Sequence, residues 1–470
     1  MKTWSLLFAM ALVLVGGGVQ AQSLKHGTRP VARTVYAPTH QPDFVTLVSS
    51  DLGLHISFDG GETFYWMCED IIGYDVQTFA VAGPVNADVR QRTWLAGGQG
   101  ITVAADPVHV DGIYISHDGG CNWTPPGGVL AGQWVSAISV HPDRLDEVLV
   151  STQHVEKPNG VAISSDAGAT WEWTELRDQT RLINAMLRAP SDPERVYAAA
   201  EDRIWRSDDG GHTWPTSFGD DLVTAASETL TLAAISPDQP DLVWFFVDKT
   251  EGRALYVSPD GGQTHTLLHQ AQSREKASMA VVSDGESGTF LVMGTVLNYY
   301  YFSADGGEYW EESEGFVPVE CLVPTPDDPT ALYVCSNIFV QFIPPQIALG
   351  VTTDHLTSIS PYFTYGQTAD YLQCDDQSQV NTVCIPLDTP NTSGGDAGLP
   401  TPDVGSDTSG DDAGLDAGPS DGGTAPGVGG KDDCGCGVLA RPATPGAAFC
   451  HALIAALLGL SWFGRRRRRA

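Results

Sequence analysis

Basic residues are scarce in this chain, whose 470 residues include 25 lysines and arginines against 58 aspartates and glutamates. Several of the basic residues lie in the terminal segments, namely Lys2, Arg441 and the five residues Arg465 to Arg469. Without them, 18 basic residues face 58 acidic ones, a net charge near −40. A surface so acidic argues against nucleic acid or an anionic membrane surface as a partner. It is compatible with solubility outside the cell, with divalent cations, and with neutral or basic ligands.

Apolar stretches suited to export or membrane insertion occur near the two ends. Lys2, the apolar run from Leu6 to Val15 and the sequence Val19-Gln20-Ala21 predict a secretory signal over residues 1–21. No cysteine stands at the cleavage site, which argues against an N-terminal lipid anchor. Residues 447–463 carry no formal charge and precede five arginines. That pattern predicts a transmembrane helix with a cytoplasmic stop, and a buried core helix is the alternative.

Cysteine spacings typical of zinc sites are absent from the exported body. Its cysteines show neither CxxC nor histidine-rich spacing, so we predict no metal site and no cofactor. Six cysteines in an oxidising compartment predict disulfides instead. Nearness along the chain favours Cys374 with Cys384 and Cys321 with Cys335, which leaves Cys68 with Cys121. Other pairings stay open at this stage.

One short phrase recurs six times, as SFDGGETF, SHDGGCNW, SSDAGATW, SDDGGHTW, SPDGGQTH and SADGGEYW. Its spacing, 43 to 59 residues, predicts a radial array of small sheets with one such turn in each. The aspartate can bond to neighbouring backbone amides, and the second glycine can adopt positive φ. The aspartate–glycine pairs are Asp59 and Gly61, Asp118 and Gly120, Asp166 and Gly168, Asp209 and Gly211, Asp260 and Gly262, and Asp305 and Gly307. The aspartates could instead be metal ligands or acid/base groups, but catalysis needs one asymmetric cluster, so we favour a structural role.

The phrase S-x-D-x-G-x-T-W resembles the BNR repeat, or Asp-box, of sialidase-like and VPS10-like β-propellers. Related propellers include xyloglucanase-type glycosidases, sortilin-type receptors and photosystem-assembly factors. The resemblance implies an all-β propeller of four-stranded blades. It also implies that each box lies between the third and fourth strands of a blade, on the outer rim and away from the active face.

A degenerate seventh unit follows the sixth phrase. Thr352-Thr353-Asp354 stands 49 residues after Ser303, but the glycines are missing, so this turn should have decayed or taken another form. We therefore predict seven blades in the body, residues 22–387, with six as the alternative. Residues 388–433 are rich in Asp, Gly, Pro, Ser and Thr and lack aromatic residues, which predicts a disordered linker.

The tail, residues 434–470, combines Cys434-Gly435-Cys436 with the apolar stretch and the arginine cluster. It resembles the C-terminal sorting signal of myxobacterial surface proteins. The resemblance implies processing near the cysteines by an intramembrane protease and display on the cell surface. A simple membrane anchor is the alternative.

Ligand contacts should come from loops on the face opposite the boxes, around the central channel. The acidic candidates there are Asp51, Asp106, Asp111, Glu156, Glu201, Asp202, Asp248 and Glu251. Asp51 lies in Ser50-Asp51-Leu52-Gly53, which resembles the turn that carries one catalytic aspartate in xyloglucanase-type enzymes. It is a weak catalytic candidate, since it could equally cap a strand turn.

Three functions compete at the level of sequence. A sialidase would need three arginines and an Arg-Ile-Pro motif, and that motif is absent. A xyloglucanase-type glycosidase would need a second carboxyl, which that family supplies from a second propeller. A non-catalytic module that binds an extracellular glycan, protein or matrix component needs no missing motif. We favour the binding module, with glycoside hydrolysis as the alternative.

Overall fold

The computed structural model describes residues 31–50, 52–72, 76–84, 86–98, 110–271, 275–283, 289–328, 330–337 and 347–385. The chain divides into two compact units, residues 1–401 and 402–470, and every described residue belongs to the first. The expected signal peptide, linker and sorting tail lie outside the described residues, as do Asp51, Asp106, Cys434 and Cys436. In the described part, no helix combines the length and apolar character needed to cross a membrane.

Seven sheets form the blades of an all-β propeller, and each blade comes from one continuous stretch of chain, apart from one strand added to blade 1. Five blades have four strands each. Blade 3 holds β8 (Val135–Val140), β9 (Val148–Thr152), β10 (Asn159–Ser164) and β11 (Glu172–Asp178); blade 4 holds β12 (Ile183–Arg188), β13 (Val196–Ala200), β14 (Arg203–Ser207) and β15 (Thr216–Phe218); blade 5 holds β16 (Thr229–Ile235), β17 (Val243–Lys249), β18 (Gly252–Ser258) and β19 (Thr266–Gln270); blade 6 holds β20 (Ala277–Ser283), β21 (Thr289–Thr295), β22 (Tyr299–Ser303) and β23 (Glu311–Glu314); blade 7 holds β24 (Val319–Pro324), β25 (Leu332–Ser336), β26 (Leu349–Thr352) and β27 (Ser360–Phe363).

Blades 1 and 2 depart from this plan. Blade 1 holds β1 (Val31–Tyr36), β2 (Val45–Ser50), β3 (Gly53–Ser57) and β4 (Phe64–Met67), and it gains a fifth strand, β28 (Thr368–Tyr371); blade 2 holds β5 (Val76–Ala82), β6 (Thr93–Gly98) and β7 (Ile113–Ser116). In place of a fourth strand, blade 2 has a single bridge between Ile115 and Thr124. The prediction of seven blades is confirmed, and the six-blade alternative is wrong.

Burial changes from strand to strand across a blade. The second strands β2, β9, β13 and β25 are buried at every position, because both of their faces contact neighbouring blades. Their sequences are accordingly continuous runs such as VLVST and VYAAA rather than alternating patterns. The outermost strand β23 is exposed throughout. The apolar core therefore lies between the blades.

The six repeat turns follow the third strands of blades 1 to 6, and they share one hydrogen-bond network. The serine hydroxyl donates to the aspartate Oδ1 at 2.7–3.0 Å and accepts the N–H of the second glycine at 2.7–3.0 Å. The same Oδ1 accepts the N–H four residues further on at 2.8–2.9 Å. Each aspartate thus has its hydrogen bonds inside its own turn.

In five of the six repeat turns, the glycine two residues after the aspartate packs against the blade before it. At Gly168 (φ 91°) a Cβ would lie 2.9 Å from Cδ2 of Leu95 in blade 2, and at Gly307 (φ 99°) it would lie 2.7 Å from Cδ1 of Leu268 in blade 5. Both the positive φ and the close approach therefore favour glycine.

The turn of blade 7 keeps the same geometry without glycine, which corrects the expectation that it had decayed. Thr352 Oγ1 donates to Asp354 Oδ1 at 3.0 Å and accepts the N–H of Leu356 at 3.0 Å. His355 and Leu356 adopt φ values of 57° and 69°, in the left-handed region that glycine usually occupies. The buried Leu356 side chain packs in the apolar cluster between blades 6 and 7, and the His355 ring stacks on Phe302 at 4.2 Å. These contacts oppose the backbone strain.

The C-terminal segment, residues 364–385, fastens blades 1 and 2; we call it the clasp. Its strand β28 runs parallel to β4, and its buried residues Leu372 and Val380 join the apolar cluster of blade 1. Of the three disulfides among the described residues, two hold it, Cys68–Cys384 and Cys121–Cys374. The expected pairs Cys374–Cys384 and Cys68–Cys121 are therefore wrong, because the fold brings the clasp against two distant blades. The third disulfide, Cys321–Cys335, joins β24 to β25 as expected.

Candidate functional site

The topology separates the ends of the blades into two faces. Within a blade the strands are antiparallel, so the turn between strands one and two lies on the same side as the repeat turn. The turns between strands two and three, and the links from one blade to the next, lie on the other side; we call it the opposite face. The described acidic candidates belong to segments on this face.

Hydrogen bonds join the first strands of neighbouring blades, which we call the inner strands. These bonds lie where the strands begin, near the opposite face. Strand β8 has an irregular register at Ser136, whose hydroxyl donates to the Ile183 carbonyl of β12. Strand β12 has the same irregularity at Asn184, whose amide donates to the Leu230 carbonyl of β16 at 2.8 Å. Bulges re-aim side chains in this way, and here they fix the inner strands relative to one another.

Asp202 is held by two arginines. Arg181, in the link between blades 3 and 4, makes a bidentate contact with it at 2.8 and 3.0 Å and also binds Asp178 at 2.9 Å. Arg203 approaches the same carboxylate at 3.3 Å. Burial by itself would raise the pKa of Asp202. The hydrogen bonds from Arg181 and Arg203 outweigh this effect, so the pKa of Asp202 is lowered. A carboxylate held ionised in this way cannot serve as a general acid near neutral pH.

Asp248 has an equivalent arrangement in blade 5. It lies directly across the β17–β18 pair from Arg253, which contacts both carboxylate oxygens at 2.6 and 2.7 Å. The guanidinium also lies over the Phe246 ring, 5.2 Å from its centroid. A cavity of about 20 Å³ beside it, between blades 5 and 6, is lined by residues that include His269 and Tyr301. This volume suits a single water rather than a ligand.

Asp111 and Glu156 lie on either side of an aromatic pair at the junction of blades 2 and 3. The buried Asp111 accepts a hydrogen bond from Trp134 Nε1 at 3.0 Å. The Trp134 and His154 rings lie 4.7 Å apart, and Glu156 is exposed two residues after His154. Here the structure brings together two predicted residues from different blades.

Exposed apolar side chains recur on the opposite face. Val110 is 39% exposed and Val155 62%, both near Trp134, while Leu297 is 60% and Phe316 76% exposed in blade 6. The last two are neighbours, because the N–H of Gly315 donates to the carbonyl of Asn298 at 2.9 Å. Exposed apolar groups with polar surroundings are typical of interaction sites.

A second groove, of about 400 Å³, lies beside the Cys121–Cys374 disulfide of the clasp. Its walls are polar and include Asp118, Asn122 and Asp375. Asp118 already accepts hydrogen bonds within its own repeat turn, among them one from the Asn122 side chain, so these two wall residues are engaged with each other.

Two of the remaining candidates, Glu201 and Glu251, are exposed on turns of blades 4 and 5. Within the described ranges, no group of three or more His, Cys, Asp or Glu residues could hold a metal ion. Sequence reasoning assigned no role to Arg181, Arg253, Trp134 or His154, although it placed Arg253 and His154 in loops of the ligand face. The scarcity of basic residues could have indicated Arg181 and Arg253, because each basic residue of so acidic a body has many carboxylates with which to pair.

Comparison with protein families gives a match over part of the chain. Residues 159–291 match the Sortilin-Vps10 family model, described as sortilin, neurotensin receptor 3. The matched range begins at β10 in blade 3 and ends in β21 of blade 6. A search of curated proteins found no match.

Solved structures similar to this chain are propeller proteins of low sequence identity. A crystal structure of an ancestral GH74 enzyme has a TM-score of 0.51 and 15% identity, covering 71% of this chain and 47% of its own. The GH74 xyloglucanase from Xanthomonas campestris has a TM-score of 0.48 and 14% identity, with coverages of 69% and 54%. YCF48 bound to a D1 peptide has a TM-score of 0.45 and 14% identity, with coverages of 66% and 89%. The chain spans about half the length of the two GH74 enzymes, and the likeness concerns the fold.

Proposed function

We propose that this chain is an exported, cell-surface-anchored propeller of BNR/Asp-box repeats that binds an extracellular glycan, protein or matrix component without catalysis. Three disulfides suit an oxidising compartment outside the cytoplasm. The tail would span the membrane until an intramembrane protease processes it near Cys434 and Cys436, and the linker would hold the propeller away from the surface.

The proposal rests on one observation, namely that aspartates and arginines on the opposite face are paired with each other. Asp202 and Asp248 are both in bidentate contact with arginines, Arg181 and Arg253. Hydrolysis of a glycoside needs one carboxyl with a raised pKa and a second one across the cleft. Recognition of a sialic acid carboxylate needs unengaged arginines, whereas these two already bind carboxylates of the protein.

A glycoside hydrolase is the second candidate, and the likeness to the ancestral GH74 enzyme favours it at the level of fold. Asp51 is the residue on which it would depend. The corresponding family would supply a partner carboxyl from a second propeller, and this chain has one propeller among its described residues.

The test is a combined screen of full-length protein against a glycan array, a panel of extracellular matrix proteins and a panel of fluorogenic glycosides. We expect saturable binding to at least one array or matrix component and no turnover of any glycoside. Turnover that Asp51→Asn abolishes would overturn the proposal in favour of the hydrolase. Asp376→Asn, an exposed aspartate of the clasp, is the matched control.

A further inference from the structure

Trp134 is fixed in place on the opposite face without being fully covered. It directly precedes β8, and its indole N–H donates to Asp111, which is 7% exposed. The His154 ring lies 4.7 Å from the indole, and the Trp134 carbonyl accepts the N–H of Gln153 at 2.8 Å. The side chain nevertheless remains only partly buried. The result is a rigid aromatic surface whose ordering does not depend on a ligand.

His154 presents a hydrogen-bond donor beside this surface. Its Nδ1 accepts the N–H of Glu156 at 3.0 Å, so the neutral ring carries its proton on Nε2. Burial, and next the charge of Lys157, lower the pKa of His154 from 6.5, so the ring is neutral at pH 7. Asn159 holds the His154 backbone through its side-chain oxygen and amide at 2.6 and 2.9 Å. The donor is therefore preorganised.

The charged groups around Trp134 and His154 determine whether a ligand bound there can carry a charge. The Lys157 ammonium donates to the Gly132 carbonyl and is thereby turned toward the protein. Glu156 is exposed, and Asp111 accepts the hydrogen bond of the indole N–H. Val155 and Val110 add exposed apolar surface at the edge. Two carboxylates against one ammonium leave a net negative charge around the ring, which disfavours an anionic ligand.

We propose that Trp134, His154 and Glu156 form a subsite for one neutral or amino-substituted pyranose ring of a glycan. The C–H face of the sugar packs on the indole, the His154 Nε2–H donates to a ring or hydroxyl oxygen, and the Glu156 carboxylate accepts a hydroxyl or ammonium proton. Sialic and uronic acids are rejected because their carboxylates would face Glu156. This inference rests on the proposed binding function and names its ligand class.

Full-length protein in a detergent without a sugar headgroup is titrated calorimetrically with cellohexaose, mannohexaose and a glucosamine hexamer, and with hexagalacturonate as the anionic probe. We expect binding of at least one of the first three and none of hexagalacturonate. Trp134→Ala should weaken that binding by about tenfold or more, and Trp134→Tyr should weaken it less. The control is Trp173→Ala, which removes another partly buried tryptophan, from the outermost strand of the same blade.

Each outcome bears on one proposal. If a neutral hexaose binds equally well to Trp134→Ala protein of unchanged melting temperature, the subsite is wrong while the binding function stands. Binding of hexagalacturonate as tight as that of the neutral probes overturns the charge argument. If no glycan binds but a protein ligand from the matrix panel does so in a Trp134-dependent way, the face recognises protein and the glycan subsite is wrong. If no ligand binds in either experiment, the result contradicts the proposed function itself.

Discussion

His55 is a buried imidazole in an aromatic setting beneath the clasp. Its ring centroid lies 5.2 Å from that of Phe363 and 5.1 Å from that of Tyr365, and its Nδ1 has no hydrogen-bond partner. Burial lowers the pKa of His55 from 6.5 to about 3. The folded state therefore binds this proton more weakly than the unfolded state does, and the associated stability is lost as the pH falls from 6.5 toward 3.

His55→Phe should remove that part of the acid sensitivity. Between pH 7 and pH 4.5 we expect the wild-type free energy of unfolding to fall by about 2–3 kcal/mol more than that of the variant. Urea unfolding at the two pH values measures this difference. Equal losses in both proteins would show that His55 is not buried in its neutral form.

The two glycines of a repeat turn are required for different reasons, and blade 6 separates them. Gly306 (φ 77°) faces open space, whereas a Cβ at Gly307 (φ 99°) would also meet Leu268. Gly306→Ala should therefore lose roughly 1 kcal/mol of stability, from backbone strain alone. Gly307→Ala should lose roughly 2–4 kcal/mol, because overpacking adds to the strain. Losses of equal size, measured by urea unfolding, would contradict the packing of this turn against blade 5.

The contacts of individual charged residues were the hardest feature to predict from sequence. The repeat turns follow from local chemistry, since serine, aspartate and glycine lie within five residues of one another. The contact between Arg181 and Asp202 depends instead on how the link between two blades lies over a turn of the next one. Arg253 and Asp248 meet only because the register of β17 and β18 places them opposite each other.

At the level of elements, the clasp closes the ring. Strands β1 to β27 fall to successive blades in sequence order, and among the described strands only β28, from the clasp, returns to an earlier blade. The clasp runs from blade 7 to blade 1, where β28 pairs with β4, and to blade 2, where Cys374 bonds to Cys121. Nearness in sequence suggested a local disulfide loop, but the closure of the propeller determines the pairing.

Removing the Cys68–Cys384 disulfide should loosen the clasp. With Cys121–Cys374 intact, this bond closes a further loop of about 60 residues, so the double variant Cys68→Ala/Cys384→Ala should lose roughly 4 kcal/mol. Limited proteolysis should then cleave within residues 364–385. The matched control Cys321→Ala/Cys335→Ala opens a loop of 14 residues, should lose about 3 kcal/mol, and should leave the clasp resistant. A resistant clasp in both variants would contradict its dependence on Cys384.

At the scale of the whole molecule, the fold was predictable because its signals are short-range and repeated. The repeat turns mark the third and fourth strands, and the buried runs between them mark the second strands. The geometry of the seventh turn was not predictable, since Leu356 and His355 are held at positive φ by contacts with blade 6. The sequence could predict on which face of the propeller a ligand binds but not where on that face, because irregular loops carry no periodic signal.

The central claim is that the opposite face, and not the rim with the repeat turns, binds the ligand. It is tested most directly by the equilibrium affinity of two charge-reversal variants for the component that full-length protein binds in the array or matrix screen. One variant changes the exposed Glu156, Glu201 and Glu251 to arginine, and the other changes the exposed rim residues Glu172, Glu175 and Glu311. We predict a loss of about tenfold or more for the first and an unchanged affinity for the second. The reverse result would place the binding site on the rim and contradict the account.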